Sequence, residues 1–151
     1  MVILKEFIWR KDHTAYHLTN KDSMKSICCQ GLKPLCGERS KSVGDNTKGV
    51  FFFDLLESVS NWIDWLYKNR DVSELELLRF NIKNRKWFKQ DDCEFYLTHK
   101  VLPERIEYLR IYDPDNGSFL PLSAIEDTHK KKELVWKGLT SYKPLLEDDK
   151  D

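Results

Sequence analysis

The segment Lys48-Gly49-Val50-Phe51-Phe52-Phe53-Asp54-Leu55-Leu56-Glu57 decides how this chain reads. Gly49 to Phe53 is a short run of apolar β-formers bounded by turn-forming residues, which predicts a buried strand. Asp54-Leu55-Leu56-Glu57 has the form of a capping box with Asp as the cap. Beyond it Leu55, Val59, Trp62, Ile63, Leu66 and Tyr67 recur at helical spacing, so an amphipathic helix follows the strand directly. Helices confined to the first half of the chain, with strands dominating the second, imply an α+β fold.

On the N-terminal side, Leu32 to Lys48 holds Pro34, Gly37, Gly44, Asp45 and Asn46 and reads as a long polar loop, of the kind that in compact domains is either functional or disordered. Before it, Met24, Ile27, Cys28 and Gly31 fall at i, i+3, i+4 and i+7 and predict a short helix, with Asn20 as N-cap and Gly31 as its stop. Two extended pieces precede that helix, Val2 to Trp9 and Ala15 to Thr19. On the C-terminal side, Leu75 to Ile82 reads as a strand with Leu75, Leu77 and Phe80 inward, followed by strands at Phe95 to Leu97 and Ile106 to Ile111. Asp113-Pro114-Asp115-Asn116-Gly117 is a turn. From Asp127 the sequence is charged without a sustained pattern. The expected organisation is one α+β domain over 1–126, with a split mixed or antiparallel sheet and two main helices in its N-terminal half, and a charged, partly disordered extension over 127–151.

Composition sets the outer limits. The chain has 151 residues, with 25 Lys and Arg against 25 Asp and Glu, so its formal net charge is zero. Neutrality argues against coating duplex nucleic acid by phosphate neutralisation alone. An aromatic content of 13% argues against disorder. No apolar run reaches the roughly 18 residues that a membrane helix needs, and Met1 to Arg10 lacks the pattern of a secretory leader, so the expected setting is cytoplasmic with no membrane partner. Cys28, Cys29, Cys36 and Cys93 form no Cys-x-x-Cys pair, and His13, His17, His99 and His129 supply no matching ligand spacing; free, partly buried thiols and no metal are expected.

Three segments join polar residues to strand edges: Tyr16-His17-Leu18-Thr19 with Gly31-Leu32 after a helix; Lys48-Gly49-Val50-Phe51-Phe52-Phe53-Asp54 with Asn61-Trp62 in the next helix; and Cys93-Glu94-Phe95-Tyr96-Leu97. Taken in order, over about residues 15–112, they resemble the ADP-ribosyltransferase fold of the His-Tyr-Glu class. The resemblance implies NAD as substrate, with no metal. It places His17 on the adenosine-side ribose, Leu18 and Thr19 beside the nicotinamide, Phe51 as the aromatic of the second motif, Trp62 as the ring that stacks on nicotinamide, and Glu94 as the catalytic carboxylate. Leu18 stands where the family has Gly, and Phe51 where it has Tyr. The third segment, with Leu102-Pro103-Glu104-Arg105-Ile106 after it, is similar to that of DarT-like toxins, which implies Arg39 as an assisting residue on NAD or substrate. A carboxylate facing an oxocarbenium-like centre lowers the barrier electrostatically, and Asp91 and Asp92 raise the pKa of Glu94 if they lie close to it.

Each of these residues also has a plainer reading: His17 as a core histidine, Phe51 and Trp62 as core aromatics, Glu94 as an exposed strand residue, and Arg39 with Lys33, Lys41 and Lys48 as a solvated basic loop. Lys83-Asn84-Arg85-Lys86-Trp87-Phe88-Lys89 reads either as a surface for single strands or as a hairpin whose aromatics point inward. The expected activity is mono-ADP-ribosyl transfer from NAD to a nucleic acid or protein acceptor, in a stand-alone size that suits a bacterial toxin or phage effector with an antitoxin or immunity partner. Two alternatives stand beside it: a non-catalytic module of the same fold that binds a nucleotide, nucleic acid or protein, and an RNA 2′-phosphotransferase-like enzyme.

Overall fold

The computed structural model describes residues 13–35, 47–69, 74–122 and 133–142. Its elements are β1 (Thr14–Asn20), α1 (Met24–Gln30), β2 (Val50–Phe53), α2 (Leu56–Asn69), β3 (Leu75–Asn81), β4 (Trp87–Lys89), β5 (Glu94–Leu97), β6 (Glu107–Asp113), β7 (Ser118–Leu120) and β8 (Glu133–Gly138). The strands form one eight-stranded antiparallel sheet in the order β4-β5-β2-β1-β3-β6-β7, with β8 also on β6. This is an α+β fold with two α-helices among the described residues.

The local chemistry accounts for the helix boundaries. The Asn20 side chain accepts a hydrogen bond from the Ser23 backbone at 3.0 Å, so it caps the single 3-10 turn Lys21–Ser23 that leads into α1. Gly31 ends α1 with its N–H bonded to the Ile27 carbonyl at 2.8 Å. There φ is +77°, a backbone conformation that glycine reaches without strain. α2 begins at Leu56, shortly after Asp54, and Leu55 is exposed rather than part of the inward stripe. Val59 and Ile63 are buried, while Leu56, Trp62 and Leu66 are half-buried against the same core; the side chain of Tyr67 lies outside the described residues.

The two helices cover opposite faces of the sheet. On one face Met24 and Ile27 of α1 pack with Ala15, Phe52, Leu78, Phe80 and Tyr108. On the other, Val59 and Ile63 of α2 pack with Tyr16, Phe53, Leu75 and Leu77. A strand between covered faces is buried on both sides, and β3 shows it: Leu75, Glu76, Leu77, Leu78 and Phe80 are all enclosed. The alternation read from the sequence therefore held for Leu75 and Leu77 but concealed Glu76.

Within the charged extension, Glu133–Gly138 forms β8 and pairs with β6 along Glu107–Tyr112, and the following turn buries Leu139 and Tyr142 in the core. The strand expected at Val2 to Trp9 lies outside the described residues. No helix among the described residues is long and apolar enough to cross a membrane.

The feature that positions the site is a split. β1 pairs with β3 at every residue from Thr14 to Asn20, but its register with β2 is the single pair Tyr16↔Phe53. β2 instead runs in full register with β5, from Val50↔Leu97 to Phe53↔Glu94. Each half of the sheet is thus zipped to its own outer strand, and the two halves part between Thr19 and Val50.

Candidate functional site

A cavity of about 740 Å³ occupies this split, within the usual ligand-pocket range of about 300–1,000 Å³. β1 contributes His17, Leu18, Thr19 and Asn20, and β2 contributes Val50 and Phe51. Ser26 and Ile27 of α1 close it from one face of the sheet, and Trp62 and Leu66 of α2 from the other. The cavity therefore passes through the sheet between layers, with Asn20, Ser23, Ser26 and Lys33 supplying a polar arm and Leu18, Trp62 and Leu66 an apolar one.

His17 is the residue that the split depends on. Its Nδ1 meets the carbonyl oxygen of Phe51 across the gap. A carbonyl only accepts, so Nδ1 carries the proton and donates. The ring satisfies a buried backbone group that a continuous ladder would have bonded. Burial lowers the imidazole pKa and outweighs the Phe51 bond, which raises it, so the ring is favoured in its neutral form. A neutral ring protonated at Nδ1 leaves Nε2 as an acceptor suited to a hydroxyl donor.

Trp62 stacks on Trp65, with centroids 4.7 Å apart and planes within 4° of parallel. This stack fixes the indole that borders the apolar arm. Leu18 packs beside it in the same cluster as Leu66. Phe51 contacts the Tyr96 ring at 5.6 Å, and Tyr96 stacks on Phe88 at 5.3 Å and 22°, so an aromatic row runs from the cavity wall across β5 to β4. That row and the burial of Trp87 show the aromatics of the Lys83–Lys89 segment directed into the sheet, while Lys83, Asn84 and Lys86 are exposed.

Five of the residues singled out from the sequence thus border one cavity: His17, Leu18, Thr19, Phe51 and Trp62. Glu94 does not border it. It opens β5 opposite Phe53, half-buried, on the face that α2 covers, whereas His17 shares the α1 face with Ala15 and Leu78. Asp91 holds the Glu94 backbone, since its Oδ1 accepts from the N–H groups of Glu94 at 3.0 Å and Cys93 at 3.1 Å. Burial and the neighbouring carboxylates Asp91, Glu94 and Asp54 raise the Cys93 thiol pKa, the mark of a locally acidic end of the sheet. Arg39 and Lys41 lie outside the described residues, as does Cys36.

Among the described residues Cys28, Cys29 and Cys93 form no disulfide; Cys28 is half-buried, but Cys29 and Cys93 are exposed rather than partly buried as expected. Among the described residues no three His, Cys, Asp or Glu side chains are grouped to hold a metal. Ser26 and Leu66 also border the cavity, and nothing in the sequence marks them, because each reads as an ordinary helix position. Comparison with known proteins found no family model, no curated protein and no solved structure that matches the chain.

Proposed function

We propose that the split cleft binds NAD and that the protein is a mono-ADP-ribosyltransferase acting on a nucleic acid or protein acceptor. The observation that carries this reading is the cavity between β1 and β2, which gathers His17, Thr19, Phe51 and Trp62 from separate segments. A dinucleotide has a polar and an aromatic end, and the cavity has a polar and an apolar arm on opposite faces of the sheet. In this reading Nε2 of His17 accepts from a ribose hydroxyl, and Trp62 offers its ring to the nicotinamide. The acceptor's lone pair forms the new bond to C1′ of the ribose, while nicotinamide leaves with the electrons of the broken C1′–N bond and the acceptor gives up a proton. Glu94 lies outside the cavity but on the same sheet face as Trp62, so in this reading the C1′ end of NAD extends past Trp62 and brings its developing positive charge to the Glu94 carboxylate.

A second reading has its own observation. Glu94 stands outside the cavity and Leu18 occupies part of the apolar arm, which favours a module that binds a nucleotide without turning it over. Nicotinamide release from NAD, measured with nucleic acid and protein acceptors, separates the two. Release that disappears in Glu94→Gln supports the transferase; an NAD-induced rise in melting temperature without release supports the binding module; neither response rejects both.

A further inference from the structure

Glu76 is 1% exposed in the middle of β3. Its Oε1 accepts from the Tyr142 hydroxyl at 2.8 Å. Oε2 is buried and has no hydrogen-bond partner among the described residues. A buried carboxylate with one bare oxygen is costly, and protonation removes most of that cost.

Tyr142 is as deeply buried as Glu76 and stands edge-on to Tyr108, 4.7 Å away at 82°. The turn that carries it is tied down by Leu139 N–H to the Ile106 carbonyl at 3.0 Å and by its own N–H to the Leu139 carbonyl at 3.0 Å. On its other side, Glu76 lies in register with Thr19 and next to Leu75, both of which border the cleft. We propose that Glu76 and Tyr142 form a protonation-dependent latch, which pins the turn after β8 to the β3–β1 wall of the cleft while Glu76 is neutral and lets it go when Glu76 ionises.

The surroundings of Glu76 set the direction. Burial pushes its carboxyl up to about 7; the Tyr142 bond and the charges of Lys21 and Arg110 pull the other way, and Glu74 adds to the rise. Tyr108 faces the same cluster, accepting a hydrogen bond from Nε of Arg110, and Cys28 of α1 faces Tyr142. Burial and the Glu76 carboxyl raise the Tyr142 hydroxyl, so it remains a donor. Ionisation strengthens the Tyr142 bond, yet burial is the larger effect, so the charged carboxylate is relieved only when water reaches Oε2. The turn covering it must then move. This holds whatever the cleft binds.

Carboxyl-carbon NMR on the intact chain, with the Glu76 signal assigned by its loss in Glu76→Gln, reads the titration directly. A midpoint near neutrality is expected, and a midpoint in the ordinary carboxylate range overturns the latch. Amide exchange at Leu139 and Tyr142 reads the release. With the intrinsic pH effect removed, the opening constant rises on the order of 50-fold between about pH 5 and about pH 8. Glu76→Gln abolishes that rise, and Tyr142→Phe moves the Glu76 midpoint upward by removing a bond that favours the charged form. An unchanged rise in Glu76→Gln overturns the proposal, and if that variant does not fold, the Glu76 signal is assigned instead by its shift in Tyr142→Phe and the titration decides.

Discussion

Replacing Gly31 with Ala tests the corner on which the cleft wall is built. A Cβ there would stand 2.0 Å from the Val101 carbonyl oxygen, 3.0 Å from its carbon and 3.1 Å from Cδ of Pro103. The backbone adds to the difficulty, since φ +77° with ψ −167° is a region that only glycine occupies readily, at a cost of about 1–3 kcal/mol for other residues. Relief of the clash requires Val101 to retreat, and Val101 and Leu32 exchange two backbone hydrogen bonds of 2.9 Å each. Losing both costs a further 1–3 kcal/mol or so. The expected loss is therefore about 2–6 kcal/mol, which for a chain of this length lowers Tm by on the order of 10 °C. Two other glycines give the scale. Gly117 has φ +63° but no atom within 4 Å of a Cβ, so Ala there costs about 1–2 kcal/mol of strain alone. Gly138 has φ −57° and its nearest contact at 3.8 Å, so Ala there is neutral or stabilising by a few tenths of a kcal/mol or more. Urea unfolding of the three variants ranks them, and a Gly31→Ala no less stable than Gly117→Ala would refute the reasoning.

Stability as a function of pH tests Glu76 separately. Its native pKa of about 7 lies above the ordinary 4.5, so its contribution is fully present below about pH 4.5 and is lost as the pH rises through 7. The difference amounts to about 3 kcal/mol and is absent in Glu76→Gln, which denaturant titrations at both ends of that range detect. His17→Ala leaves the Phe51 carbonyl unbonded and costs about 1–3 kcal/mol of stability; an unchanged unfolding midpoint would show that the ring does not hold the split. Trp62→Ala removes one ring of a parallel stack and one wall of the apolar arm. It weakens NAD binding by about tenfold or more in a thermal-shift titration, while a variant that binds NAD as the parent does would move the aromatic end of the ligand elsewhere.

The strand at Gly49 to Phe53 was legible because a short apolar run between turn residues has few other uses, and the α1 helix because Asn20 and Gly31 mark its approaches. What escaped the sequence depends on partners distant along the chain. Glu76 sits between two inward leucines, where alternation predicts an exposed residue, and it is enclosed because Tyr142, from the turn after β8, covers that face of β3. β8 is masked by the charges around it, and its place is set by β6, whose registered residues lie more than twenty positions upstream. The cleft was legible in its residue types but not in its shape. Nothing local distinguishes a strand that zips along its neighbour from one that meets it at Tyr16 alone, and the faces on which His17 and Glu94 fall follow from that register.

The most direct test of the account is nicotinamide release from NAD by the intact protein and by Glu94→Gln, with NAD-induced stabilisation measured on both. The account predicts release and ADP-ribosyl transfer to an acceptor by the intact chain, with release at least about a hundredfold slower in Glu94→Gln and NAD stabilisation retained. Absence of both release and NAD-induced stabilisation, with nucleic acid and protein acceptors alike, contradicts it.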